Sequence, residues 1–341
     1  MLLRELQEQK EKDLLFPFAM HSSLTKGRRR PEEECGIRTV YQRDRDRILH
    51  SVFFRRLKGK TQVFLFPVTE GLRTRLTHTL EVTQIARTLA RLLKLNEDLT
   101  EAVALGHDLG HPPFGHCGEE ALAEVSPYGF QHAEQSVRVT EVLDKNGRGM
   151  NLTVEVMDGI LLHTKGKDGD PLKLSSDILE YILVRISDII AYVNHDIEDA
   201  VGAGVLKPEE LPSGAIKVLG DRHSVRINTL VTDILENSYG RPEINMSPAV
   251  YGALTELKDF LYYNVYVKED IQKEFRKAKK AVQELYHYYT ANPGEVREAL
   301  WFLRDSEDIE RLAVDHIASM SDAMALREYE RIFLPSPWEN D

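Results

Sequence analysis

The sequence predicts an all-α fold with minor short β-hairpins, on three observations. Apolar residues recur at helical spacing along most of the 341 residues. Several long segments carry helix start and stop signals. Strand-like character is confined to one short run. A chain of this length can bury a sizeable core, as one large domain or two modest ones.

Taken in chain order, "MLLRELQEQKEKDLL" reads as a short amphipathic helix, too charged for a secretory signal. "KTQVFLFP", residues 60–67, is the strand candidate, half of a small hairpin. Val82, Ile85, Leu89 and Leu92 form a core-facing stripe that predicts a helix over 78–94, opened by His78. "NEDLTEAVALGHDLG" starts a helix at Asn96, with acidic residues in its first turn, and ends at glycine. A long apolar helix is expected over 177–201, and two more over 247–263 and 267–290. The Gly- and Pro-rich stretch 202–224 reads as a connection with a short hairpin. The organisation expected is an N-terminal arm, 1–30, a core, 31–205, and a C-terminal helical region, 206–341, packed on that core.

Two cysteines, Cys35 and Cys117, form no CxxC pair and no disulfide framework, which fits a reducing compartment. No apolar run reaches membrane-spanning length, so the cytoplasm is the expected location and no membrane partner is expected. A net charge of −11 argues against a protein that coats nucleic acid. The charge is uneven. From Lys26 to Arg75, 14 Lys/Arg stand against 6 Asp/Glu, a local +8 that leaves −19 for the remainder. Such a block fits either a solvated basic face or a defined site for an anionic ligand. No glycine-rich phosphate loop is present.

The chemistry concentrates in "ALGHDLGHPPFGHCGEEAL", residues 104–122. Burying so many titratable groups costs several kcal/mol unless something compensates, and a metal ion is the usual compensator. His78, the adjacent His107 and Asp108, and Asp188 in the long apolar helix offer two imidazoles and two carboxylates. With water in the remaining positions, that set suits an octahedral divalent ion. Singly, each histidine reads as well as a satisfied core or surface residue. Asp188, Tyr192, His195, Asp196 and Asp199 fall within about 100° on their helix. The stripe faces either solvent or a cavity, and the all-apolar first turns of this helix favour the cavity. Cys117 reads as a packing residue.

"RTRLTHTLEV", "GHDLGHPPFGHCGEEAL" and "RISDIIAYVNHDIEDA" together resemble the HD-domain phosphohydrolases, whose signature is H…HD…D. More narrowly they resemble the deoxynucleoside triphosphate triphosphohydrolases, the dGTPase-like family. "YQRDRDRILHSVFFRRLKGKTQVF", "FQHAEQSVRV", "MNLTVEVMDGILLH" and "FLYYNVY" extend the resemblance over about residues 28–290. It implies an HD-domain helical bundle with a metal set of His78, His107, Asp108 and Asp188. Mn²⁺ or Mg²⁺ is the implied ion, with Fe²⁺ and Ni²⁺ also compatible. The implied reaction splits a dNTP at the α-phosphorus into deoxynucleoside and inorganic triphosphate, with His116 and Glu119 as the catalytic pair. Arg75 and His111 are implied phosphate contacts, and His132 a triphosphate contact. Gln62 would read the sugar or base edge. Tyr192 would pack under the deoxyribose and exclude a 2′-hydroxyl, and Asp196 would accept from the 3′-OH. For Gln62, His132 and Arg43 a fold-stabilising role stands beside the functional one, as does a structural role in the loop for His111. The second HD pair, His195–Asp196, is expected behind the metal or at an interface, and the arginine run 28–30 in a mobile or subunit-contact segment. The resemblance also implies a homo-oligomer, hexamer or tetramer, with a nucleotide or single-stranded DNA as effector. The alternatives are another HD phosphohydrolase, acting on a nucleoside monophosphate, cyclic nucleotide or alarmone, and a nucleotide-binding regulator.

Overall fold

Capping chemistry sets where the helices begin. The computed structural model describes residues 2–65, 71–164, 170–174 and 176–335, and among these it contains sixteen α-helices and no strand. The first five are α1 (Leu3–Leu14), α2 (Val40–Leu49), α3 (Val52–Arg56), α4 (Arg75–Leu92) and α5 (Glu97–Gly106). Thr39 and Gln42 cap α2 reciprocally, and Asn96 Oδ1 accepts from Leu99 N–H at 3.0 Å to open α5. Next come α6 (Gly115–Val125), α7 (His132–Arg138), α8 (Val154–Leu162) and α9 (Leu179–Gly202). The C-terminal part holds α10 (Ser213–Leu219), α11 (His223–Ser238), α12 (Pro248–Leu261), α13 (Glu269–Ala291), α14 (Pro293–Ala299), α15 (Ile309–Ala318) and α16 (Asp322–Phe333).

The α4 helix packs against α9 and α5, and α5 also meets α2, α8 and α9. Val82, Ile85 and Leu89 are buried there as the stripe predicts, whereas Leu92 is exposed and Leu93 takes its place in the core. On the other side, α13 packs on α6, α15 and α16. No helix among the described residues is long and apolar enough to cross a membrane.

Three expectations need correction. The helix over 78–94 starts three residues earlier, at Arg75, because Thr77 Oγ1 accepts from Thr74 N–H and closes the first turn there. The strand expected over 60–67 is reduced to one isolated bridge between Thr61 and Thr74, and residues 66–67 lie outside the described residues. Thr61 N–H bonds to the Asp322 side chain instead of a neighbouring strand. The stretch 202–224 forms α10 and a 3₁₀ turn over Pro208–Glu210, not a hairpin. Pro208 opens that turn, where its missing N–H costs nothing.

The basic block is partly neutralised inside the fold. Arg73 pairs with Glu81, Glu198 and Asp199, Arg45 with Asp46, Asp98 and Glu101, and Arg43 with Glu32. The Arg28 guanidinium is nearly enclosed, pairing with Glu32 and the buried Asp44.

Backbone approaches backbone closely at Gly110, where a Cβ would lie 2.2 Å from Ser136 N and 2.6 Å from His132 O. Gly110→Ala is therefore expected to cost about 3 kcal/mol or more in denaturant unfolding. Gly252→Ala, in α12 with nothing within 4 Å, should be neutral or stabilising by up to about 1 kcal/mol.

Candidate metal centre and active site

Three elements bring the predicted ligands together. His78 sits in the first turn of α4, His107 and Asp108 just past the end of α5, and Asp188 in the middle of α9. His78 Nε2 lies 3.2 Å from Asp188 Oδ1 and 3.8 Å from Asp108 Oδ2. His107 Nε2 is 3.4 Å from Asp108 Oδ1. His78, His107 and Asp108 are buried, and Asp188 is partly open to a cavity of about 730 Å³.

The hydrogen bonds behind these groups fix their tautomers. His107 Nδ1–H donates to Ala104 O at 2.6 Å, so its buried Nε2, with no hydrogen-bond partner among the described residues, presents a lone pair to the centre. His78 Nδ1 meets His195 Nε2 at 2.9 Å, and His195 Nδ1 lies 2.7 Å from Asp196 Oδ1. His78 can thus donate backwards and turn its Nε2 lone pair forwards. Burial disfavours the charged form of Asp108, but the surrounding histidines and Arg75 outweigh it and hold its carboxyl well below the usual range. Asp188 is held low in the same way, with His78 as the main opposing influence to burial. Two ionised carboxylates facing two imidazole lone pairs in a buried space fit a divalent cation.

A second cluster stands across the cavity. The backbone reverses through Phe114 (φ 66°) and Gly115 (φ 58°), so α6 starts with His116 turned back towards the centre. A Cβ on Gly115 would meet Arg75 Nη2 at 3.0 Å and Thr61 O at 3.3 Å, so this residue needs both the left-handed backbone and the missing side chain. His116 Nδ1–H donates to Glu119 Oε2 at 3.2 Å, and three-quarters of the His116 side chain is open. Glu119 Oε1 also accepts from His132 N–H at 2.8 Å and from His132 Nδ1–H at 2.9 Å. His163 Nδ1–H donates to Ile160 O at 2.6 Å, leaving its Nε2 as acceptor for His132 Nε2–H at 3.2 Å. Burial, together with His107 and His132, pushes His163 down to about 3, so it is neutral. Both His132 nitrogens therefore donate. Burial opposes its protonation, but Glu119 outweighs that and raises His132. His132 and Glu119 form a half-buried pair on which His116 hangs.

The remaining predicted residues line the same cavity. Arg75 Nη1 donates to Asp108 Oδ2 at 2.8 Å, while its buried Nε and Nη2 find no hydrogen-bond partner among the described residues. Gln62, His111, Tyr192 and Asp196 all border the space. His111 stacks on His132 with ring centres 4.0 Å apart. Asp196 is already engaged, accepting from Tyr266 O–H through Oδ2 and facing His195 through Oδ1. Arg43 lies elsewhere, donating to Glu33 O, and is a fold-stabilising group. Cys117 donates to Phe275 O at 3.0 Å, and its thiol is pushed up to about 11, by burial first and then by Glu120, as a packing residue's would be.

The sequence reading missed one wall of the cavity. The α13 helix supplies Gln272, Phe275, Arg276 and Lys279, and the turn before it supplies Tyr262 and Tyr266. The spacing 272/275/276/279 puts the four on one helical face, which was a readable signal.

Comparison with known proteins agrees with this arrangement. The HD-domain family matches residues 75–193, and the phosphohydrolase-associated domain matches 244–331. A deoxyguanosinetriphosphate triphosphohydrolase-like protein of Caldanaerobacter subterraneus subsp. tengcongensis is 52% identical over 99% of this chain and 98% of its own. The chain belongs to the dGTPase-like HD phosphohydrolases. Like-named proteins of Desulfatibacillum aliphaticivorans and Clostridium perfringens are 49% and 44% identical, covering 99% and 98% of this chain and the same shares of their own. A solved phosphohydrolase from Bacteroides thetaiotaomicron shares the fold, with a TM-score of 0.54 at 15% identity over 85% of this chain and 68% of that one. HD domains are metal-dependent phosphohydrolases, so this chain is a hydrolase with His and Asp groups able to bind a metal.

If His195 orients His78 for a metal, His195→Ala should weaken Mn²⁺ binding about 10–100-fold in calorimetric titration while the four candidate ligands stay in place. Unchanged affinity would show that the contact is packing only.

Proposed function

We propose that this hydrolase converts deoxynucleoside triphosphates to deoxynucleoside and inorganic triphosphate by water attack at the α-phosphorus. The observation that carries the reading is one cavity with two unlike walls. His78, Asp108 and Asp188 line the first, with the buried His107 beside Asp108, and His116 lines the second, held from behind by Glu119. The relatives' name, deoxyguanosinetriphosphate triphosphohydrolase-like protein, supports the same substrate class. A divalent ion held by the four ligands supplies Lewis acidity and neutralises charge on the phosphoryl group.

The chain's own residues do the rest. The free Nε and Nη2 edge of Arg75 offers donors to a phosphate oxygen. Lys279 and Arg276 stand at the rim as further donors, Lys279 paired there with Glu120 and Glu124 and Arg276 with Glu269. Water attack breaks the bond from the α-phosphorus to O5′, and the departing alkoxide takes its proton from His116. Glu119, locked by His132, accepts from Nδ1 and so aims the Nε2 edge of His116 into the cavity. Tyr192 forms the floor for the deoxyribose, and a 3′-OH reaching Asp196 displaces or shares its bond from Tyr266. Gln62, whose Oε1 is buried and finds no hydrogen-bond partner among the described residues, is the available acceptor on the opposite side.

The test is to incubate purified protein with Mn²⁺ and each dNTP, singly and mixed, and to separate the products by ion chromatography. Inorganic triphosphate with deoxynucleoside is expected. Monophosphate with pyrophosphate, or no turnover in any mixture, would overturn the proposal. Asp188→Ala should lose bound Mn²⁺ and activity together. His116→Ala should keep the metal and lose about 10²–10⁴-fold in kcat.

A further inference from the structure

The C-terminal helices carry no candidate catalytic side chain, yet they touch the active-site loop from behind. Asp322, the first residue of α16, is 5% exposed. Its Oδ1 accepts from Phe114 N–H at 2.9 Å. Its Oδ2 accepts from Thr61 N–H at 2.9 Å and from the Thr61 hydroxyl. Phe114 and Thr61 each lie within two residues of a side chain assigned to the cavity, His116 and Gln62 respectively.

Neighbouring contacts tighten the same junction. The buried Lys60 Nζ donates to His111 O and, at 2.9 Å, to Ala318 O. Arg56 Nη1 donates to Ser319 O at 3.0 Å. A Cβ on Gly59 would lie 3.0 Å from Ser321 Cβ, so the turn between α15 and α16 seats directly on the backbone after α3. Residues 56–62 and 111–116 therefore meet a common anchor on residues 318–322. The anchor also holds a backbone conformation that resists holding. Phe114 is a non-glycine residue in the left-handed region, an unfavourable state that persists only where its surroundings over-determine it. A buried carboxylate accepting from the Phe114 amide is such a determinant, and the strength of a charge-assisted bond suits it to the task.

We propose that Asp322 is a positioning residue of the active site: by accepting from Phe114 and Thr61 together, it sets the angle at which His116 enters the cavity and its distance from Gln62. The role rests on the reading of His116 as the proton donor. Misplacing a reacting group by about 1 Å can cost on the order of 10²-fold in rate. Asp322 thus acts on the chemistry without touching substrate.

Asp322→Asn in the full chain is the direct test. The side-chain amide keeps one acceptor oxygen and turns its NH₂ group towards one of two fixed N–H donors, Thr61 or Phe114. The variant is expected to fold and to bind Mn²⁺ within about twofold of the wild type, since His78, His107, Asp108 and Asp188 are untouched. Its kcat should fall about 10–100-fold with a smaller change in KM. Amide exchange should accelerate in peptides covering 56–62 and 111–117 and stay unchanged over α4 and α9. Glu328→Gln is the comparator, also on α16, where Glu328 accepts from Tyr289 O–H at 3.0 Å and pairs with Arg331. It should lower Tm without altering kcat or the exchange of those two segments. Wild-type kcat and unchanged loop exchange in Asp322→Asn would overturn the proposal, as would a kcat loss matching only the unfolded fraction. If the wild-type chain shows no triphosphohydrolase activity, the reading of the reaction fails, and the exchange data alone decide whether Asp322 holds the loop.

Discussion

His78 is gripped on both ring nitrogens by a single helix. Its Nε2 faces Asp188 and its Nδ1 faces His195, seven residues and about two turns further along α9. An imidazole held from both edges fixes how α4 is rotated against α9, and the rest of the site follows from that rotation. Arg75, one turn before His78, is delivered to Asp108. The end of α5, packed between α4 and α9, places His107 with its lone pair forward. A contact of this kind is tolerable in a buried space because each charge has a counter-charge or donor close by. Removing one partner leaves the others uncompensated, which is why the four candidate ligands behave as a unit.

The two walls of the cavity are built on different principles. The ligand wall is helical, buried and over-determined. The proposed acid–base wall opens α6, just after the reversal at Phe114 and Gly115, with His116 largely open. A proton donor has to reach a substrate atom, and so it stands in the open. Its precision comes from what lies behind it: the Glu119–His132–His163 chain on one side and the α15–α16 junction on the other. Tyr266 and the polar face of α13 close the third side, so the region matched by the phosphohydrolase-associated domain completes the pocket of the HD region.

Much of this was legible in the sequence. The helix start at Asn96 follows from its capping side chain, and the stripe on α9 correctly indicated that Asp188, Tyr192 and Asp196 face a cavity. The H…HD…D residues lie side by side in the fold. What escaped depends on partners distant in the chain. The basic block read as either a solvated face or an anion site, but acids far away, such as Asp199 for Arg73 and Glu101 for Arg45, neutralise part of it, and Arg75 is the arginine of that block lining the cavity. The strand expected at 60–67 failed because the Thr61 amide is claimed by Asp322, 261 residues later. No local pattern announces such a bond. His163 was equally silent, since its role lies in presenting an acceptor to His132.

The claim on which the account stands is that one divalent ion is bound between α4, α5 and α9. Anomalous diffraction from crystals soaked in Mn²⁺ measures this directly. The account predicts one strong peak within about 2.5 Å of ligand atoms from His78, His107, Asp108 and Asp188. A peak on the His111–His116–Glu119–His132 cluster alone, or none at all, would contradict it.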